Sequence, residues 1–318
     1  NLEVKLKSDC VWAKAGHVVA TEQFLLKERK RKSEMSEPSE PLQVIEERQY
    51  IRFRAPGTEV SFDSKTGMMI ALRYDGRNLI HRQQGPSLNW YRSINNDPRE
   101  WIQPVIALRG FDWKMAEDGK SASILSEIEV KVGKVTVPYT VRYQVHSNGV
   151  VDVAADFTTG SNFDLPRLAL QMFLNPSLEQ VEWYGRGPME NYRDRKNAAY
   201  VGRYQTTVTD MAEHYARAQT MGGRTDTRWL SLTDDRGKGL KITATDTVDF
   251  SAQHYTDKDL WQVKYGHDLP DIRRAEVVLN LDCIQRGLGN ASCGPGPRPH
   301  YEIRKDTVYS YSFRMEPL

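Results

Sequence analysis

The sequence predicts an all-β protein built from antiparallel sheets, and three observations carry that reading. The first is a series of short segments rich in β-branched and aromatic residues. Tyr50-Ile51-Arg52-Phe53, Glu59-Val60-Ser61-Phe62, Ile124 to Val130, Val135 to Tyr143 and Val150-Val151-Asp152-Val153 have strand composition, and several alternate apolar with polar residues. The second is the turn chemistry between them. Asp63 to Gly67, Tyr74-Asp75-Gly76, Ser147-Asn148-Gly149 and Asp234 to Gly237 supply the Asn, Asp and Gly that tight reversals need. The third is that no segment keeps a 3.6-residue apolar period over three turns, so helices should be few and short.

Taken in order, the chain shows one boundary. Residues 1–26 hold a strand or two, too little to bury a core of their own. Residues 27–42, which include the run KERKRKSEMSEPSEP, are charged, contain prolines and have the composition of a linker. Residues 43–318 show no second break and no internal repeat, and suit one large sandwich of two extended sheets. The strand-like start at Leu2, with Asn1 as first residue, leads us to expect a cut through a longer polypeptide.

The composition excludes several classes. The formal net charge of +2 is too small for binding driven by phosphate neutralisation, so no nucleic-acid partner is expected. No apolar run reaches the roughly 18–20 residues of a membrane-spanning helix. The three cysteines, Cys10, Cys283 and Cys293, are odd in number and widely spaced, which fits neither a disulfide framework nor a metal knuckle. Asp234-Asp235 and Asp246/Asp249 offer oxygens to a hard cation, but their spacing suits turns better than a calcium loop. No metal or other cofactor is expected.

The most informative segment is Trp183-Tyr184-Gly185-Arg186-Gly187-Pro188-Met189-Glu190-Asn191-Tyr192-Arg193-Asp194-Arg195. Pro188 cannot donate to a ladder, so the chain must leave its sheet there. Beyond it, Glu190 and Asp194 can pair with Arg186, Arg193 or Arg195 and fix a rigid polar loop. Such a loop is either a surface for a sugar or neighbouring domain, or a self-satisfied structural element.

This run resembles the hallmark of the last domain of glycoside hydrolase family 2 β-galactosidases. Four other stretches resemble that family in the same order: Trp12 to His17, Asn89 to Asp97, Arg224 to Trp229, and Leu279 to Asp282 with Gln285 to Gly289. The resemblance covers essentially the whole chain. It implies an antiparallel supersandwich of the galactose mutarotase type, preceded by remnant strands of an immunoglobulin-like sandwich. It also implies that the catalytic glutamates, and any Mg or Na that the full enzyme requires, belong to a TIM barrel outside this chain. Catalytic residues are therefore expected to be absent here, and the chain alone inactive. The partners implied are a β-galactoside, the barrel, and further copies of the enzyme, since homo-oligomers are common among relatives.

The resemblance further places three loops at the edge of the substrate pocket. They bring Asn95, Asn96 and Asp97, then Glu190 and Asn191, then Ser292 and Cys293. In relatives the third loop carries a tryptophan that reaches into the active site, where an indole face suits the apolar side of a sugar. Cys293 stands where that tryptophan would fall, which weakens the platform and puts lactose as the substrate in question. Two rival readings remain: an independent carbohydrate-binding module using Trp90, Trp101 or Trp261, and an oligomerisation domain. Mutarotase-type acid–base chemistry would need His254, His267 or His300 to converge with Glu190 or Glu302; no spacing indicates that they do.

Overall fold

The computed structural model describes residues 1–27, 40–95, 97, 101–160, 165–290 and 294–318. The chain forms two compact units, Asn1–Ser36 and Glu37–Leu318. Most of the expected linker lies outside the described residues. In the first unit, β1 (Leu2–Lys5) pairs antiparallel with β2 (Val18–Glu22), and both strands are exposed along their whole length. Two strands without a covered face are marginal on their own.

The second unit is an antiparallel β-supersandwich. A five-stranded meander runs β3 (Gln43–Glu47), β4 (Tyr50–Ala55), β5 (Thr58–Asp63), β6 (Met68–Tyr74) and β7 (Arg77–Asn78), each strand paired with the next. The larger sheet contains β8 (Ser87–Asn89), β9 (Val105–Met115), β10 (Ser121–Val132), β11 (Val135–His146), β12 (Val151–Thr158), β13 (Arg167–Leu174), β14 (Gln180–Gly187), β15 (Tyr200–Thr207), β16 (Arg224–Thr233), β17 (Gly239–Gln253), β18 (Val277–Gln285) and β19 (Val308–Pro317). Its main path is β15-β14-β16-β17-β19-β12-β11-β10-β9. The sheet forks at β17. Leu240 to Ala244 pair with β19, while Asp249 to Gln253 pair with β18, which leads on through β13 to β8.

Period-two alternation sets the core. In β10, Ala122, Ile124, Ser126, Ile128, Val130 and Val132 point inward while their neighbours are more exposed. Val137, Tyr139, Val141, Tyr143 and Val145 do the same in β11. The meander closes over this face: the rings of Phe53 and Trp113 are 5.4 Å apart, and those of Phe62 and Tyr143 are 5.0 Å apart, both edge-on. The one described α-helix, α1 (Asp257–Gln262), begins with a reciprocal capping box between Thr256 and Asp259.

The fork buries charge. Arg167 on β13 is 1% exposed, and donates to Asp282 on β18 (2.5 and 3.1 Å) and to Asp257 of α1 (2.9 Å). Burial works against its positive charge, but the two carboxylates outweigh it and raise its pKa. Asp257 also accepts from Thr220 Oγ1 at 2.6 Å and Asn89 Nδ2 at 3.0 Å, and Asn89 Nδ2 donates to Asn280 at 2.9 Å.

Asp249 stands opposite Asp282 across β17 and β18. Burial, reinforced by the negative charges of Asp282 and Asp226, pushes its carboxyl up to about 7. The folded state therefore holds a proton that the unfolded chain releases near pH 4, so this group's contribution to stability falls as pH rises from about 4 to about 7. Asp249→Asn keeps an acceptor for the Asp226 N–H, which reaches Asp249 Oδ1 at 2.9 Å. The variant is expected to match the parent in urea unfolding at about pH 4 and to be the more stable at about pH 8. Equal stability of the two proteins at both pH values would refute the assignment.

Candidate functional site

Three loops leave the large sheet from neighbouring strand ends. Residues 90–97 follow β8, residues 188–199 follow β14, and residues 286–302 follow β18. The segment before β16 lies beside the first two.

Arg92 joins the first and third loops. Its side chain is fully buried, and Nε and Nη2 donate to the two oxygens of Asp97 at 2.8 and 3.0 Å. Nη1 donates to the Arg286 carbonyl at 2.6 Å, and Nη2 reaches the Gly287 carbonyl at 3.4 Å. Arg286 in turn donates to Asp97 at 3.4 Å and to Glu302 at 3.0 Å. A forked, permanently charged guanidinium satisfies a carboxylate and two carbonyls at once, which a lysine could not. Ser93 is held to the segment before β16 by a reciprocal pair: Ser93 N–H donates to Thr220 Oγ1 at 2.7 Å, and Thr220 N–H donates to the Ser93 carbonyl at 3.0 Å.

Asp194 joins the second and third loops. Its two carboxylate oxygens accept from the N–H groups of Leu288 (2.9 Å) and Gly289 (2.8 Å). Glycine is needed at 287 for this approach, since a Cβ there would sit 2.7 Å from the Asp194 carboxylate. Gly289 has φ +61°, in the left-handed region that favours glycine.

The second loop is fixed from within. Glu190 accepts from Arg195, Tyr215, Tyr192 (3.2 Å) and the Gly222 N–H (2.9 Å). Asn191 Oδ1 accepts from both the N–H (3.0 Å) and the hydroxyl (2.6 Å) of Thr225, while its amide donates to the Met189 carbonyl at 3.0 Å. Burial drives the Tyr192 phenol pKa well up, with the Glu190 charge adding to the effect.

The expected site residues therefore divide. Asn95 is half-buried on the first loop, and Asp97 is buried and spent on Arg92 and Arg286. Asn96, Ser292 and Cys293 lie outside the described residues. Glu190 and Asn191 are 9% and 1% exposed, and their polar atoms are taken by their own surroundings. Their side chains thus shape the loop from within, and Met189, at 49% exposure, is among the residues that the loop exposes. Trp90 is 1% exposed with Trp101 stacked on it at 6.2 Å, and Trp101 and Trp261 pack on the core, so none of the three is a free platform. His254 is buried against Glu179 and the Glu276 carbonyl, while His267 and His300 lie beside Tyr265 and Tyr301. None of them is among the partners of Glu190. Asp234 accepts from the Arg236 and Lys238 N–H groups, both at 2.9 Å, as a turn residue does.

Sequence reasoning passed over Arg92 and Arg286, although each stood inside a quoted motif, and it paired Asp194 with nearby arginines where the structure has it accept from the Leu288 and Gly289 amides. The available signal was pairing: Arg92 and Asp97 are five residues apart on one short loop. What no local pattern contains is that Asp194 caps amides from 94 and 95 residues further along the chain.

The loops' geometry can be set beside known proteins. The family model described as β-galactosidase small chain matches residues 54–315. The chain belongs to this family. The β-galactosidase of Priestia megaterium is 24% identical over 328 residues, which cover 100% of this chain and 31% of the relative. That of Staphylococcus xylosus is 26% identical over 327 residues, covering 99% and 32%. This member of the family thus spans about a third of the length of the relatives it matches, and corresponds to their carboxy-terminal part. Among solved structures, a galactose mutarotase-like protein from Lactobacillus casei has a TM-score of 0.46 at 9% identity, over 87% of this chain and 100% of that one. A putative aldose 1-epimerase from Escherichia coli K12 has a TM-score of 0.47 at 7% identity, over 87% and 99%.

Proposed function

We propose that the chain is the carboxy-terminal, non-catalytic module of a β-galactosidase, whose three-loop cluster forms part of the wall of the active site and whose sheets support assembly. In the assembled enzyme, terminal β-galactosides would be hydrolysed with retention by two carboxylates about 5–5.5 Å apart in a separate barrel. The observation that carries the reading is the tie of loops 90–97, 188–199 and 286–302 into one unit by Arg92 and Asp194. Loops fixed in this way can hold a rim in register against a neighbouring domain. The carboxylates of the cluster point the same way. Asp97, Asp194 and Glu190 are each occupied by arginines, amides or phenols, which suits positioning.

The test is an assay of the purified chain with a chromogenic β-galactoside. No turnover is expected above a blank preparation. Hydrolysis that copurifies with the chain and follows its concentration would overturn the proposal.

A further inference from the structure

The outward face of the β15-β14-β16 ribbon carries a feature that the three-loop cluster does not use. Tyr184 on β14 stands directly opposite Trp229 on β16 and Arg203 on β15. Tyr184 is 40% exposed. The Arg228 guanidinium lies 5.8 Å from the Tyr184 ring centre, and that of Arg203 lies 5.8 Å from the Trp229 ring centre. One step along the same face, Glu182 is opposite Gln205 and Ser231; a further step brings Gln180 opposite Thr207 and Thr233. These polar residues border an open groove of about 560 Å³, with Asp210 at its side.

We infer that this groove and the adjoining aromatic pair form a second carbohydrate-binding site, for a neutral oligosaccharide of pyranose units. The amides of Gln180 and Gln205, the hydroxyl of Thr233 and the carboxylate of Asp210 offer both donors and acceptors, as the hydroxyls of a sugar require. The Tyr184 ring supplies a flat apolar face beside them for the C–H side of a pyranose. Charge selects the class. Arg203 is paired with Glu182, and Arg228 beside the Tyr184 ring balances Asp210, so the site carries no formal net charge to draw in an acidic glycan or a phosphate backbone. The groove lies along β14 from the three-loop cluster: Glu182 is five residues from Gly187, about 17 Å along the strand, and Tyr184 is three residues from it, about 10 Å.

The experiment is calorimetric titration of the full chain with β-1,4-galactotriose. Tyr184→Ala, Tyr184→Phe and Gln205→Ala are titrated in parallel, each with its melting temperature measured. The parent should bind with a dissociation constant of about millimolar or tighter. Tyr184→Ala should weaken binding by about tenfold, Gln205→Ala by about threefold, and Tyr184→Phe by less than about twofold, because Phe keeps the ring. Gln205 is exposed, so its variant reports on the groove even if Tyr184→Ala unfolds. Absence of heat with the parent, undiminished binding by a folded Tyr184→Ala or Gln205→Ala protein, or binding of an oligogalacturonate alone would each overturn the inference.

Discussion

Arg167→Met is expected to cost about 3–5 kcal/mol of stability, the range for removing one partner of a buried ion pair. The guanidinium is 1% exposed and serves two carboxylates, Asp282 and Asp257, on elements 115 and 90 residues away in sequence. Its removal leaves both acids buried without their cation, and Asp249 lies across the ladder from one of them. The remaining donors are neutral: Gln285 to Asp282, and Thr220 with Asn89 to Asp257. Urea unfolding at neutral pH measures the loss. The cost should shrink as pH is lowered, because protonating the stranded acids relieves the penalty. A loss under about 1 kcal/mol at neutral pH would mean that the cluster is hydrated and contributes little, as exposed pairs do.

The second large effect is expected at Arg92. Arg92→Met should also cost about 3–5 kcal/mol, since Asp97 is buried with it and the Arg286 carbonyl loses its donor. Arg286 lies 3.4 Å from Asp97 and can take up part of the charge, so the stability cost should fall toward the lower end. The distinguishing result is a double-mutant cycle. Arg92→Met with Asp97→Asn should recover part of the loss, because no charge is then stranded. The Arg92→Met protein should also exchange the amides of residues 286–289 faster, since that stretch loses its Arg92 anchor and keeps those of its N–H groups to Asp194, Pro166 and Tyr301. Additive costs in the cycle, with exchange unchanged, would show that the loops are held by other contacts.

These two arginines also mark how far local reading reaches. The alternation of Ile124, Ile128 and Val130 against polar neighbours was enough to predict β10, because a strand's period is written in consecutive residues. Gly67, Gly149 and Gly237 each close their turns with positive φ, as the Asp/Asn–Gly composition implied. Pro188 ends β14 where a missing N–H requires it. The second loop was read as either a sugar-facing surface or a self-satisfied element, and the side chains of Glu190 and Asn191 are buried within it.

Sequence by itself determined the all-β class, the turns, the few short helices and the family motifs, because each of these is encoded within a dozen neighbouring residues. Only the tertiary structure decided which charges meet. Arg167 finds Asp282 and Asp257, Arg92 finds the Arg286 carbonyl, and Asp194 finds the Leu288 and Gly289 amides across the fork at β17. Tyr184 and Trp229 become neighbours only through the register of β14 with β16. The physical reason is the same throughout. Backbone conformation is a local property of the chain, whereas the partner of a buried charge or an exposed ring is set by which strands lie side by side.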